Sequence, residues 1–111
     1  MAATALTVQS MVNTGLEATY AACNADGNYF TNNGETFLHV INGSGGDITV
    51  TVDSPTECSQ GETHDIAVVV TAGEERMIGP LNQSRFNDDD GRAQVTYSGV
   101  TSLTAAAIKL R

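Results

Sequence analysis

The densest group of potential ligands in this chain is the run Asn87, Asp88, Asp89, Asp90 and Gly91. Oxygen donors crowded round a glycine turn are what a calcium loop requires. The run lacks the spaced Asp-x-Asp-x-Asp-Gly pattern and the distant bidentate glutamate of an EF-hand, and a turn at Asp90 and Gly91 with Asp88 and Asp89 solvated beside it explains the same residues. Asp88, Asp89 and Asp90 therefore stand as a weak calcium candidate, and no metal is expected. His64 beside Asp65, with Ser54 and Ser59 nearby, supplies the residue types of a hydrolytic triad. No G-x-S-x-G elbow accompanies them, and adjacent residues of a strand point to opposite faces, so catalysis there is not expected. Cys23, Cys58, His39 and His64 are tetrahedral zinc ligands by type but are scattered singly, without C-x-x-C or H-x-x-x-H spacing. His39, between Leu38 and Val40, reads as a hydrogen-bonded structural histidine. No glycine-rich phosphate loop is present, and without tryptophan a sugar-stacking platform is poorly supported. The chain reads as a non-enzyme without catalytic residues or cofactors.

Charge narrows the partners. Thirteen acidic residues face five basic ones in 111 residues, a formal net charge of -8. Arg76, Arg85, Arg92, Lys109 and Arg111 form no cluster that could displace counterions from a phosphate backbone, so direct nucleic-acid binding is excluded. The longest apolar run, residues 66–70, is far short of the roughly 20 residues of a membrane-spanning helix. The opening residues MAATALTVQSMV have neither the basic region nor the apolar stretch of a secretory signal, so the chain is expected to stay where it is synthesised. Cys23 and Cys58 are expected to remain thiols there, although pairing stays open.

The elements that must position these residues are strands. Valine and threonine supply 24 residues, glycine 11 and asparagine 8, against 6 leucines and one lysine. The β-branched residues suit a pleated surface, while glycine and asparagine suit turns. Period-two alternation recurs along the chain and no long 3.6 period appears. Strands are expected at 16–23, 36–42, 47–53, 65–71, 75–78, 93–98 and 104–110. The segment 36–42 (TFLHVIN) is apolar on both faces and belongs inside a sheet. In 47–53 (DITVTVD), Ile48, Val50 and Val52 point one way and Thr49 and Thr51 the other. GSGG at 43–46 reads as a hairpin turn, 54–64 as a loop, and LNQSRFNDDDGR at 81–92 as irregular. Residues 4–13 fit either an extended arm or an edge strand. The fold expected is all-β: a single antiparallel β-sandwich or jelly-roll-like domain at 16–111, preceded by an extended N-terminal arm at 1–15. Leu, Ile, Val and Phe make up only 24 residues, so the core is thin and a partner would help to bury it.

The succession GETFLHVINGSG (34–45), ITVTV (48–52), VVVTAGE (68–74), IGPL (78–81), FNDDDG (86–91) and VTYSGVTSLTAAAIKL (95–110) resembles a family of small β-rich proteins of tailed bacteriophages, encoded beside the major capsid protein. The resemblance covers residues 24–110 and rests on the order of several short motifs. It implies a capsid decoration, or cement, protein: a structural module commonly found as a homotrimer on the outer surface of the phage head, binding major capsid protein. It brings no catalytic residues. The chain departs from the family pattern at 55–64, which carries Cys58 and acidic residues.

A charge of -8 suits the outside of a DNA-filled shell better than its lining. The arm is expected to reach a neighbouring copy or a capsid subunit, and Phe30, Ile78, Leu81 and Phe86 are the candidates for a threefold contact; closing the ends of the monomer is their other reading. The alternatives in function are a head-to-tail adaptor or tail component, separable by copy number, and a calcium- or carbohydrate-binding β-sandwich module, separable by a calcium-dependent melting shift.

Overall fold

The computed structural model describes residues 3–54, 65–88 and 90–110. The described residues form ten strands and one helical turn: β1 (Thr4–Ala5), β2 (Val8–Ser10), β3 (Ala21–Ala22), β4 (Asn28–Thr31), β5 (Thr36–Asn42), β6 (Ile48–Val52), β7 (Ile66–Val70), β8 (Glu75–Ile78), α1 (Gln83–Phe86), β9 (Arg92–Tyr97) and β10 (Leu103–Lys109). They build an all-β fold of two mixed sheets. The first has the order β1-β4-β9-β6-β7; the second has the order β2-β10-β5-β8, with β3 also on β10. No helix among the described residues is long and apolar enough to cross a membrane.

One apolar cluster joins the two sheets. Val50, Val52, Val70 and Val95 come from the first and Leu38, Val40, Leu103 and Ala105 from the second, with Phe30, Leu81 and Phe86 packed in the same cluster. The alternation expected in ITVTV is present, since Ile48, Val50 and Val52 are buried and the two threonines are half-buried. β5 is an interior strand, between β10 and β8, as its apolar character requires.

One open alternative is decided and three sequence expectations are corrected. Residues 4–13 take the edge-strand alternative: β1 pairs in parallel with β4 and β2 in parallel with β10, both within the chain. Leu6 lies between them, only 6% exposed, so burial of one leucine draws the segment from the edge of one sheet to the edge of the other. Of residues 16–23 only Ala21 and Ala22 pair, because β2 already occupies the edge of β10 from Ala107 to Lys109. The GSGG turn is a crossover between sheets, since β5 and β6 belong to different ones. Within the stretch expected to be irregular, Asn82 caps a single helical turn by accepting a hydrogen bond from the Ser84 N–H (2.8 Å), and that turn delivers Phe86 to the core.

The thin core is completed by amides. Asn28, Asn32 and Asn42 are among the largest fully buried side chains. The Asn28 Nδ2 donates to the Thr4 carbonyl (2.9 Å) while its Oδ1 accepts from the Tyr97 hydroxyl (2.7 Å). The Asn32 Nδ2 donates to the Leu81 carbonyl and to Asn87 Oδ1, and Asn87 Nδ2 returns a bond to the Asn32 carbonyl. Asn42 links the end of β5 to Val70 of β7 in the other sheet. Buried polar groups are tolerated when their hydrogen bonds are made, and here each fixes a loop that apolar burial would leave unspecified.

Candidate functional site

Two carboxylates of the acidic run, those of Asp88 and Asp90, are engaged within a turn. Asp88 Oδ1 accepts from the N–H groups of Asp90 (2.9 Å) and Arg92 (3.0 Å), and Oδ2 accepts from Gln94 Nε2 (2.7 Å). Desolvation opposes ionisation of Asp88, but the Gln94, Arg92 and Asp90 hydrogen bonds and the Arg92 charge outweigh it and hold the carboxyl below its ordinary range. Asp90 pairs with the Arg92 guanidinium (2.9 Å), which lies over the Tyr29 ring. These donors occupy both oxygens of Asp88 and one of Asp90, and the guanidinium brings positive charge beside them. Asp88 and Asp90 take the turn reading of the run; Asp89 lies outside the described residues. Asp53 lies near the same turn, where desolvation first, and then the Asp65 and Asp88 carboxylates, push its carboxyl up.

The triad residue types do not assemble among the described residues. The Ser54 hydroxyl donates to the Arg85 carbonyl (3.2 Å), and Asp65 accepts from the Ser54 N–H (2.8 Å). Ser59 and His64 lie outside the described residues, as does Cys58. Cys23 is a free, buried thiol; burial pushes its pKa up, partly offset by its contact with the Tyr97 hydroxyl. Burial likewise drives the Tyr97 phenol far up, with the neighbouring thiol adding to the effect.

His39 is the described residue with the most chemistry around it. Its ring is buried on β5, with Nδ1 2.6 Å from the Tyr20 hydroxyl and Nε2 2.8 Å from Glu75 Oε1. With the proton on Nε2, the imidazole donates to Glu75 and accepts from Tyr20, so both ring nitrogens and the Tyr20 hydroxyl have partners. The Tyr20 ring stands edge-on to the imidazole, with centroids 5.3 Å apart. This arrangement pins the segment before β3 to the sheet and connects it to β8. It is the hydrogen-bonded histidine expected from its strand context, but its partners come from 19 residues before and 36 after it, separations that no local pattern announces.

The four candidate contact residues take the other of their two readings, closing the chain's own core. Phe30 (1% exposed), Ile78 (5%), Leu81 (1%) and Phe86 (4%) are buried in the chain's own core and leave almost no side-chain surface for a second copy. The thin core recruits them because few other large apolar side chains are available to fill it.

Exposed apolar surface lies elsewhere, at Met11, Val12, Val69, Met77 and Leu110. The pleat gives the two sheets unlike outer faces. Opposite the core, the first sheet carries Tyr29, Gln94, Thr96, Thr49 and Thr51, with Val69 at its edge. The second carries Ile108 and Phe37 in one cross-strand row and Ala106, His39 and Met77 in the next, with Ile41 beside Glu75. Met77 is 67% exposed on β8, which is an edge strand among the described residues. The sequence hinted at this face through the double-sided apolar pattern of residues 36–42; it did not show which side of that strand stays open.

Comparison with known proteins finds no matching family model, no matching curated protein and no matching solved structure.

Proposed function

We propose that this chain is a structural virion protein of the capsid decoration type, with its two sheets stacked as a β-sandwich whose outer surfaces make contacts and carry out no chemistry. The observation that carries the reading is the contrast between the two outer faces. The outer face of the first sheet is rich in threonine, with one exposed apolar side chain, Val69, at its edge. The second sheet presents Met77 with half-buried Phe37 and Ile41 on its outer face. An exposed methionine flanked by partly open apolar side chains is suited to a contact surface. The motif order that resembles phage cement proteins supports the same reading, and the charge of -8 favours a position on the outside of a shell. Attachment to major capsid protein as a homotrimer would hold neighbouring subunits together by multivalency, each contact being weak by itself.

The test uses shells assembled from the capsid protein encoded beside this chain. The wild-type chain should saturate them at hundreds of copies. Met77→Glu should lower occupancy about tenfold, as expected for loss of one buried apolar anchor, without altering the circular dichroism spectrum, and Thr49→Glu should bind as the wild type does. Absence of binding would defeat the proposal. Saturation at a ring's worth of copies would assign the chain to the head-to-tail adaptor class instead.

A further inference from the structure

The amino-terminal segment occupies an unusual position. Residues 3–10 supply an edge strand to each sheet, and removing them breaks no pairing within β4-β9-β6-β7 or β10-β5-β8. The hold is short: two residue pairs on β4 and three on β10, the Thr4 N–H on the Gly27 carbonyl (3.2 Å), the Leu6 N–H on the Tyr29 carbonyl (2.8 Å), the Met11 N–H on the Lys109 carbonyl (2.9 Å), and the Asn28 amide on the Thr4 carbonyl (2.9 Å). Clefts flank the segment on both sides. One, of about 350 Å³, separates residues 5–9 from Thr19, Ala21 and Ala105 to Ala107. Another, of about 360 Å³, separates residues 6–8 from Thr31, Asn33, Thr36 and Lys109. Close packing is the rule in protein interiors, and this segment, with space on either flank, is held by its strand pairing, by Leu6 and half-buried Val8 on the core, and by the side-chain bonds of Asn28 and Gln9.

Behind it lies a hinge. Gln9 and Thr19 exchange two hydrogen bonds, Gln9 Nε2 donating to the Thr19 carbonyl (2.7 Å) and the Thr19 N–H donating to Gln9 Oε1 (2.8 Å). Residues 11–18 form no strand or helix, and 11–15 are all exposed. The loop closes through a turn in which the Gly15 N–H donates to the Val12 carbonyl (3.0 Å), with Gly15 at φ +98°. Fully extended, residues 11–18 span about 26–29 Å, comparable with the 25 Å shortest dimension of the molecule.

We propose that residues 3–10 are an exchangeable pair of strands, which leave their own body and occupy the same edges of a second copy of this chain. The occupant is specified by the groove itself. Its pairing partners, its pocket for Leu6 and its Thr19 clamp fit residues 3–10, and every copy carries that sequence. All contacts of the segment are the same in the closed and exchanged forms, so the two differ only in the hinge and in the cost of association. Closure on a short linker competes at an effective concentration in the millimolar range, so exchange is favoured where copies are crowded, for example side by side on a surface. Reciprocal exchange closes a dimer and cyclic exchange closes a larger ring; in either, the neighbour contributes Leu6 to the core. The proposal goes beyond the capsid reading and does not depend on it.

The test takes the full chain, half of it isotope-labelled, to about 1 mM, matching the effective concentration of closure. Light scattering should show oligomers, and isotope-filtered spectra should show Leu6 of one copy against Tyr29 of another. Gly15→Pro supplies a second reading. Proline cannot adopt positive φ and has no N–H for Val12, so the closed turn is penalised while an extended hinge is not. That variant should raise the exchanged fraction about tenfold at equal concentration, an equilibrium shift equivalent to about 1.4 kcal/mol. Monomers for both proteins at that concentration would overturn the proposal, as would oligomers in which the Leu6 to Tyr29 contact is only intramolecular.

Discussion

Replacing Asn42 by alanine should loosen the two sheets from each other, although it removes only one small side chain. Asn42 is fully buried at the end of β5. Its Nδ2 donates to the carbonyls of Gly46 (2.9 Å) and Val70 (2.9 Å), and its Oδ1 accepts from the Ser44 N–H (2.9 Å) and hydroxyl (2.7 Å). Ser44 and Gly46 lie near solvent and can turn to water when the amide is gone. Val70 is fully buried, and its carbonyl would lose this donor without access to a replacement. A buried polar group stripped of its partner costs about 1–3 kcal/mol. Lost packing and the freed crossover loop bring the total to roughly 2–4 kcal/mol. For a domain of this size that corresponds to a fall in Tm of roughly 8–16 °C, a large share of a typical 5–15 kcal/mol stability. Guanidinium denaturation at neutral pH measures the loss, and hydrogen exchange at the Ser44 amide locates it. Asn42→Asp is the isosteric control: it keeps the acceptor for Ser44 but sets a carboxylate against the Gly46 and Val70 carbonyls, so it should be at least as damaging at neutral pH and partly recover in acid. A loss below about 0.5 kcal/mol, the range of ordinary surface substitutions, with Ser44 protection unchanged would mean that this amide does not join the sheets.

Gly27→Ala should cost more than about 1 kcal/mol in the same denaturation assay, because the residue sits at φ +98° and an added Cβ would come within 2.6 Å of the Val95 carbonyl oxygen. Tyr20→Phe leaves His39 Nδ1 without its partner and should lower stability by about 1 kcal/mol, with the imidazole resonances shifting in NMR spectra and the fold intact. The two perturbed aspartates should act in opposite senses on the pH profile. Asp88, held below the ordinary value of 3.8, stabilises the fold at neutral pH, and that contribution is lost as pH falls from about 3.8 through its lowered folded value; Asp88→Asn should therefore destabilise at neutral pH and progressively less in acid. Asp53, raised above 3.8, penalises the fold when ionised, and the penalty is relieved as pH falls through its raised folded value; Asp53→Asn should stabilise near neutral pH, with the gain gone below 3.8.

Much of the strand pattern is local chemistry and was legible in the chain. Ile48, Val50 and Val52 alternate with threonines because a strand with one buried face requires it, and residues 36–42 and 75–78 emerge with the bounds their composition indicated. The turn at Asp90 and Gly91 was legible for the same reason: an aspartate carboxylate reaching back-to-back N–H groups is a short-range arrangement. What depends on residues far apart was not legible. GSGG can turn a hairpin or carry a chain between sheets, and the choice falls to Asn42 finding Val70, 28 residues away. Phe30, Ile78, Leu81 and Phe86 look alike whether they close a core or meet a neighbour, and competition for a limited interior assigned them to the core.

Charge, β-branching and two-residue periodicity are properties of neighbours along the backbone, so a small, acidic, strand-built chain with little leucine can be read from the residues alone. Contacts between distant segments make the amino terminus an edge strand on both sheets, complete the core with amides, and leave the side of β5 bearing Phe37 and Ile41 partly open. Those outcomes turn on which surfaces reach each other first and which hydrogen bonds remain to be satisfied once they have, and both are fixed by distances through space that a linear pattern does not carry.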